Sequence, residues 1–317
     1  MTTRFSTGVR LGFAGLALAA AAVAGPAEAL EIALTNDDGW TAPGVQAMKE
    51  ALEAAGHTVT LAAPLTNQSG SSAAVDLAAL VVTKEAENEY SVALADGSGS
   101  AEPATSGLIA IGIVQEKGYL PDLLVSGINA GNNLGALTQV SGTVGASMAA
   151  VASAFNGAVP AIAISTDEPD CDAACQDQHY ANVAAFVARL IAHLETKPGF
   201  LSREEGLLPQ GTGLNINYPP VDPVKGIKVA VQGKTAQLDG TQITGTFRCL
   251  TGPCSELAVG EAEIGAVDIQ PASTDDIKNA DTDYFSRGYI TIVPTAPDYT
   301  AGQPLKFKSV FNSFNSF

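Results

Sequence analysis

Positive charge is what this chain has least of. Its 16 Lys and Arg stand against 33 Asp and Glu, a formal net charge of −17. So acidic a surface argues against nucleic-acid polymers and anionic membranes as partners. A small anionic substrate stays open, because surface charge is screened over roughly 8 Å at physiological salt while a bound cation acts at contact. Histidine is also scarce: His57, His179 and His193 are the 3 present. The 4 cysteines, Cys171, Cys175, Cys249 and Cys254, lack the spacing partners of a zinc site. Past residue 29 there is no apolar run of the about 20 residues needed to span a bilayer.

The chain does have an N-terminal leader. Arg4 and Arg10 form a basic region, Leu11 to Ala24 an apolar one, and Ala27-Glu28-Ala29 a small-x-small cleavage site. A secretory signal peptide over 1–29 is expected, giving a periplasmic or secreted protein with no membrane anchorage after cleavage. An even cysteine count in an exported chain suggests two disulfides. Three pairings are open, and the local ones, Cys171–Cys175 and Cys249–Cys254, are favoured as loop staples.

From Leu30 to about Pro220 short apolar runs alternate with amphipathic segments. Ile32 to Thr35, Val59 to Ala63, Leu123 to Val125, Ala161 to Ile164 and Leu214 to Asn217 read as strands. Pro43 to Gly56, Leu108 to Lys117, Val144 to Phe155 and Ala181 to Leu194 read as helices, and Val75–Val82 with Tyr90–Leu94 as an antiparallel pair. Such alternation predicts an α/β fold, a Rossmann-like, mostly parallel sheet with helices on both faces. Residues 30–220 would form this core, 221–300 a β-rich arm and C-terminal core segment, and 301–317 a tail.

Chemistry concentrates in three polar segments that each follow a predicted strand. The first is Asn36-Asp37-Asp38-Gly39. Adjacent carboxylates at a strand tip repel, and a hard divalent ion relieves the repulsion; taken alone, the same residues also make a good turn. The second is Asn67-Gln68-Ser69-Gly70-Ser71-Ser72. The third, Ser126 to Thr143, is rich in Gly, Asn and Ser and ends on Ser141-Gly142-Thr143 at a helix start, a natural anion site as well as an ordinary cap. Ligands of open α/β sheets bind beyond the carboxyl ends of the strands. The three segments should therefore meet and hold a divalent metal beside a phosphate.

These residues, in this order, resemble the SurE family of metal-dependent nucleotidases and phosphatases. The resemblance runs through Leu34–Gly39 with Ala42-Pro43-Gly44, Ala63-Pro64 with Gln68-Ser69-Gly70, Pro121–Asn129 with Gly131, Asn133 and Gly135, Ser141–Val144, Leu214–Asn217, Thr282-Asp283 and Gly288–Ile292. It implies one Mg²⁺, Mn²⁺ or Ca²⁺ held by Asp37, Asp38, Ser69 and Asn129. It implies a phosphate near Asn133, Ser141, Gly142 and Thr143, and a C-terminal hairpin or arm that joins subunits into homodimers or homotetramers. The chain departs from the family pattern at Val140, where Tyr is usual, and at Glu102–Ser106, a loose echo of Gly-Thr-Pro-Ala-Asp. These changes bear on substrate preference more than on the metal.

The expected activity is hydrolysis of nucleoside 5′- or 3′-monophosphates, with Asp37 or Asp38 orienting or deprotonating water, or attacking directly. A broad acid phosphatase and a non-catalytic nucleotide- or phosphate-binding receptor are the alternatives. Three further readings are bland. His57 is expected to cap a helix end, His179 to lie in a solvated loop, and Asp167, Glu168 and Asp170 to face solvent.

Overall fold

The computed structural model describes residues 29–152, 158–196, 207–209, 211–238, 241–250, 254–259, 262, 265–272 and 275–298. All but residue 29 of the leader expected over 1–29, and the tail expected over 301–317, lie outside the described residues.

Residues Glu31–Thr35 (β1), Thr58–Pro64 (β2), Leu123–Ala130 (β5), Ala161–Thr166 (β6) and Gly213–Tyr218 (β7) form the parallel centre of a nine-stranded sheet. Leu80–Ala86 (β3) and Glu89–Leu94 (β4) extend it on one side, β4 running parallel to β2 and β3 antiparallel to β4. Beyond β7, Ile290–Thr295 (β12) pairs antiparallel, and Ile227–Val229 (β8) then forms the edge. The order is β3-β4-β2-β1-β5-β6-β7-β12-β8. A separate three-stranded sheet holds Ala236–Leu238 (β9), Thr241–Cys249 (β10) and Gly265–Pro271 (β11).

Side chains alternate across a strand, so each strand feeds two cores. Ile32 and Leu34 of β1 face one way, among Pro43–Ala54 (α1) and Ala173–Glu195 (α4), where Val45, Met48, Leu52, Val183, Val187 and Ile191 are buried. Ala33, with Ala62 of β2 and Ala161 of β6, faces the other way, toward Pro103–Gln115 (α2) and Gly142–Val151 (α3). Small residues on that face let two small-residue helices sit close to the sheet. Pro43 and Pro103 each open their helix, where a missing N–H costs nothing. No helix among the described residues is long and apolar enough to cross a membrane.

Several expected elements differ from the structure: the strand expected over Val75–Val82 is Leu80–Ala86, and the helix expected over Leu108–Lys117 is Pro103–Gln115. The strand expected over Leu123–Val125 runs on to Ala130. Its continuation pairs with β1 through Ser126 and with β6 through Asn129, with a register irregularity between them. Gly127 makes that irregularity possible: its φ is +125°, and a Cβ would lie 2.2 Å from the Ile164 carbonyl oxygen. Helix α4 starts at Ala173, not Ala181, because Asp172 caps it by accepting from the Cys175 N–H at 3.0 Å. His57 caps α1 through its backbone, its N–H donating to the Leu52 carbonyl at 3.2 Å, while its ring turns elsewhere, Nδ1 accepting from the Leu30 N–H at 3.3 Å. Burial pushes its pKa down, which suits a neutral acceptor.

Cys171 and Cys175 form the expected disulfide, at the start of α4. Cys249 is disulfide-bonded too, and its expected partner Cys254 has its side chain outside the described set.

Candidate active site

The chain leaves β1 in one direction, to β2 and β4, and comes back on the other side of β1 as β5. The reversal opens a crevice beyond the carboxyl ends of β1 and β5, the usual ligand position in an open α/β sheet. Asp37 and Asp38 follow β1 directly, and Asn129 lies at the end of β5.

Asp37 is 3% exposed. The Thr143 hydroxyl donates to its Oδ1 at 2.6 Å and the Thr143 N–H to its Oδ2 at 3.2 Å. Its carboxylate thus sits on the first turn of α3, where free N–H groups and the helix dipole favour negative charge. Gly142 permits the approach, since a Cβ there would lie 2.9 Å from both Cβ and Oδ2 of Asp37. Asp38 takes two other donors, Asn67 Nδ2 at 3.0 Å and the Ala130 N–H at 2.9 Å. The same Asn67 side chain accepts from the Ser69 N–H at 2.9 Å, tying the second polar loop to the acid pair.

Burial raises the pKa of Asp37 despite the Thr143 hydrogen bonds. It pushes Asp38 up to about 6, with the like charges of Asp37 and Glu168 adding to the effect. Among the described residues no Lys or Arg pairs with either acid. The pair is therefore short of countercharge.

The available donors are two carboxylates, the Ser69 hydroxyl and the Asn129 carboxamide oxygen; the amide nitrogen of Asn129 is committed to the Gly131 carbonyl at 2.7 Å. These are hard oxygen ligands and fit Mg²⁺, Mn²⁺ or Ca²⁺. Asn36, fully buried beside them, leaves both side-chain amide atoms without a protein partner. Such an orphaned polar group beside an acid pair fits a hydrated ion better than a dry core. Among the described residues there is no cluster of three or more His, Cys, Asp or Glu suited to a metal, so any ion here depends on neutral oxygens.

The expected phosphate side is equally well defined. Ser141 caps α3, its hydroxyl oxygen accepting from the Val144 N–H at 3.1 Å. Asn133 is rigidly placed. Its N–H donates to Asn217 Oδ1 at 2.7 Å, its Nδ2 to Ser165 Oγ at 2.8 Å, and its carbonyl accepts from Asn215 Nδ2 at 2.9 Å. The structure thus links Asp37 with Gly142 and Thr143, Asp38 with the Ser69 loop and the end of β5, and Asn133 with β6 and β7.

Several contributors were not singled out from sequence. Asn67 bridges Asp38 and the Ser69 loop. Asn215 and Asn217 hold Asn133. Asp167, expected to face solvent, accepts from the Asn132 N–H at 2.8 Å and from Asn132 Nδ2 at 2.9 and 3.1 Å. Glu168 accepts from the Tyr180 hydroxyl at 2.8 Å and lies close enough to raise the pKa of Asp38. His179 is half-buried on α4 and shares a 2.7 Å hydrogen bond with Thr166. The polar spacing of the Asn-x-Asn run in β7 was a visible signal; the acidic run after β6 gave none.

The family profile described as Survival protein SurE matches residues 32–239. The 5′-nucleotidase SurE of Nitratidesulfovibrio vulgaris is 32% identical over 286 residues, 87% of this chain and 97% of that protein. The 5′/3′-nucleotidase SurE of Yersinia enterocolitica is 33% identical over 281 residues, 86% of this chain and 93% of that one. The crystal structure of the SurE protein from Aquifex aeolicus superposes with a TM-score of 0.67 at 24% identity, over 90% of this chain and all of that one, a likeness of fold. With the acid pair, the Gln-Ser-Gly loop and the Ser-Gly-Thr helix start all gathered at one crevice, the chain belongs to the SurE family.

Proposed function

We propose that this protein is an exported, divalent-metal-dependent phosphomonoesterase acting on nucleoside 5′- or 3′-monophosphates. The observation that carries this reading is the Asp37–Asp38 pair, unneutralised by any described Lys or Arg, with Asp37 buried against the first turn of α3 and Asp38 half-buried beside it. The nucleotidase names of the two relatives support the substrate class.

Asp37, Asp38, Ser69 and Asn129 would hold the ion. When bound, it supplies charge neutralisation at a phosphoryl oxygen and makes water a better nucleophile. The rest of the work falls to the chain. The Gly142 N–H at the α3 terminus and the second Nδ2 hydrogen of Asn133 would meet phosphoryl oxygens in a preorganised polar frame, while Thr143, whose N–H and hydroxyl both donate to Asp37, holds that acid in place. The free oxygen valences of Asp37 and Asp38 orient the attacking water and accept its proton. Asn67 and the Ala130 N–H keep Asp38 turned toward the crevice. A receptor reading fares worse, because two adjacent carboxylates alone repel phosphate.

A metal-stripped preparation should lose turnover of adenosine monophosphate and of p-nitrophenyl phosphate, and regain it with Mn²⁺. Proton and metal compete for Asp38. Above about pH 6 the free carboxylate is ionised and Mn²⁺ affinity should level off. Below that, affinity should fall about tenfold per pH unit. Undiminished turnover after complete chelation, or a pH-independent Mn²⁺ affinity between 4 and 6, contradicts the reading.

Export is part of the same proposal. Arg4, Arg10, the apolar stretch 11–24 and Ala27-Glu28-Ala29 support it, as does the Cys171–Cys175 disulfide, a bond of oxidising compartments. The protein recovered outside the cytoplasmic membrane should begin at Leu30; a cytosolic form that retains Met1 would refute this. Assembly as a homodimer or homotetramer is supported by the apolar side chains that edge strand β8 and β11 leave exposed, Val229 and Ile269 among them.

A further inference from the structure

We propose that Asp167 is a positioning residue, whose carboxylate locks the 129–133 turn so that Asn129 meets the ion and Asn133 meets the phosphoryl group together. The inference rests on the phosphomonoesterase reading above and assigns what keeps two of its groups in register.

The turn begins where a ladder stops. Ala130 and Thr166 are the last pair between β5 and β6, and residues 131–134 belong to no helix or strand. Gly131 has a φ of +109°, so the chain changes direction there. Such a stretch has no regular hydrogen bonding of its own to hold it, and its backbone groups need partners elsewhere.

The end of β6 supplies them. The Thr166 carbonyl accepts from the Gly131 N–H at 2.7 Å. The next residue, Asp167, accepts from the Asn132 N–H at 2.8 Å and from Asn132 Nδ2 at 2.9 and 3.1 Å. Two successive residues at one strand end thus grip two successive residues of the turn. The Asp167 share is the stronger one, because hydrogen bonds to a carboxylate exceed those to a neutral carbonyl. Asn132 is 8% exposed, so its N–H has little access to water if the carboxylate is removed.

What the grip fixes lies on either side of it. The Gly131 carbonyl accepts from Asn129 Nδ2 at 2.7 Å, so the path of the turn decides which way the Asn129 amide faces. On the other side, the Asn133 N–H and Nδ2 reach Asn217 and Ser165 only when Asn132 is in place. Asp167 therefore acts through Asn132 on both groups. Released from it, the turn would visit other arrangements, and ligands that need the original one would bind more weakly in proportion to its population. Saturating ligand restores that arrangement, so affinity suffers and the rate at saturation does not.

The test measures Mn²⁺ binding without substrate, from the electron paramagnetic resonance of the free ion, beside kcat for adenosine monophosphate at saturating Mn²⁺. Asp167→Ala should weaken Mn²⁺ binding about tenfold, within the range for stranding a buried donor, while kcat stays within about threefold. Asp167→Asn, which keeps one acceptor oxygen, should weaken binding about threefold. Adding Asn132→Ala to Asp167→Ala should change the Mn²⁺ constant by less than about twofold, since the two side chains work as one unit. A purely structural role would lower the melting temperature and leave the Mn²⁺ constant of the folded protein unmoved. That result in either Asp167 variant overturns the proposal, as does a kcat loss above about 100-fold at unchanged Mn²⁺ affinity. Both outcomes leave phosphomonoester hydrolysis by the wild type standing. If the wild type neither binds Mn²⁺ nor cleaves the monoester, the parent reading fails and this one with it.

Discussion

Asp38→Asn should lower turnover by about 10²–10³-fold, the scale of losing one preorganised electrostatic group, in a protein that still folds. The substitution preserves shape and one acceptor oxygen. Its new amide nitrogen must face either Asn67 Nδ2 or the Ala130 N–H, both donors, at a cost of about 1–3 kcal/mol. Removing a charge held beside Asp37 in a buried setting offsets that cost, since burial and repulsion already push Asp38 up to about 6. Thermal unfolding should therefore shift little while the rate collapses. Full activity in the variant would remove Asp38 from the mechanism.

Asp281→Ala should do the reverse and strike stability first. Asp281 is fully buried, and its carboxylate collects the N–H groups of Gly233 at 2.8 Å, Thr282 at 2.8 Å and Gly135 at 3.1 Å. Alanine would strand three donors in the interior, each worth about 1–3 kcal/mol. Allowing for partial relaxation, we expect about 3–5 kcal/mol and a melting temperature lower by about 10 °C. The damage would spread to catalysis, because Gly135 lies two residues beyond Asn133 and its carbonyl is also held, by Gln232 Nε2 at 2.8 Å. A melting shift under about 3 °C would show that water or a local rearrangement replaces this carboxylate.

Much of the fold could be read locally. The alternation in Ile32-Ala33-Leu34 announces a strand covered on both faces, and Pro43 marks a helix start, whereas α2 opens at Pro103, five residues ahead of the expected Leu108. What escaped was decided at long range. Ser126-Gly127-Ile128-Asn129 has loop composition, yet it stays extended because β1 and β6 offer hydrogen bonds on either side. The pairing of β12 with β7 and β8 likewise has no local signal. At the site, motif and spacing identified the residues that gather there. Their mutual bonds were invisible: Thr143 reaches Asp37 across 106 positions, and Asp281 reaches Gly135 across 146. The acidic run after β6 reads as a solvated face, and Glu168 and Asp170 are exposed, with Asp167 half-buried. Only Tyr180, from the helix above, reveals that Glu168 is tethered.

The placement of β12 has a consequence for how the molecule is made. This strand slots between β7 and β8, so the main sheet remains split until residue 295 has been delivered. A polypeptide synthesised amino-terminus first must wait with an open seam along β7, a sticky margin of unpaired backbone. Completion thus waits for β12, and a nonsense codon ahead of Ile290 would leave that seam permanently unzipped.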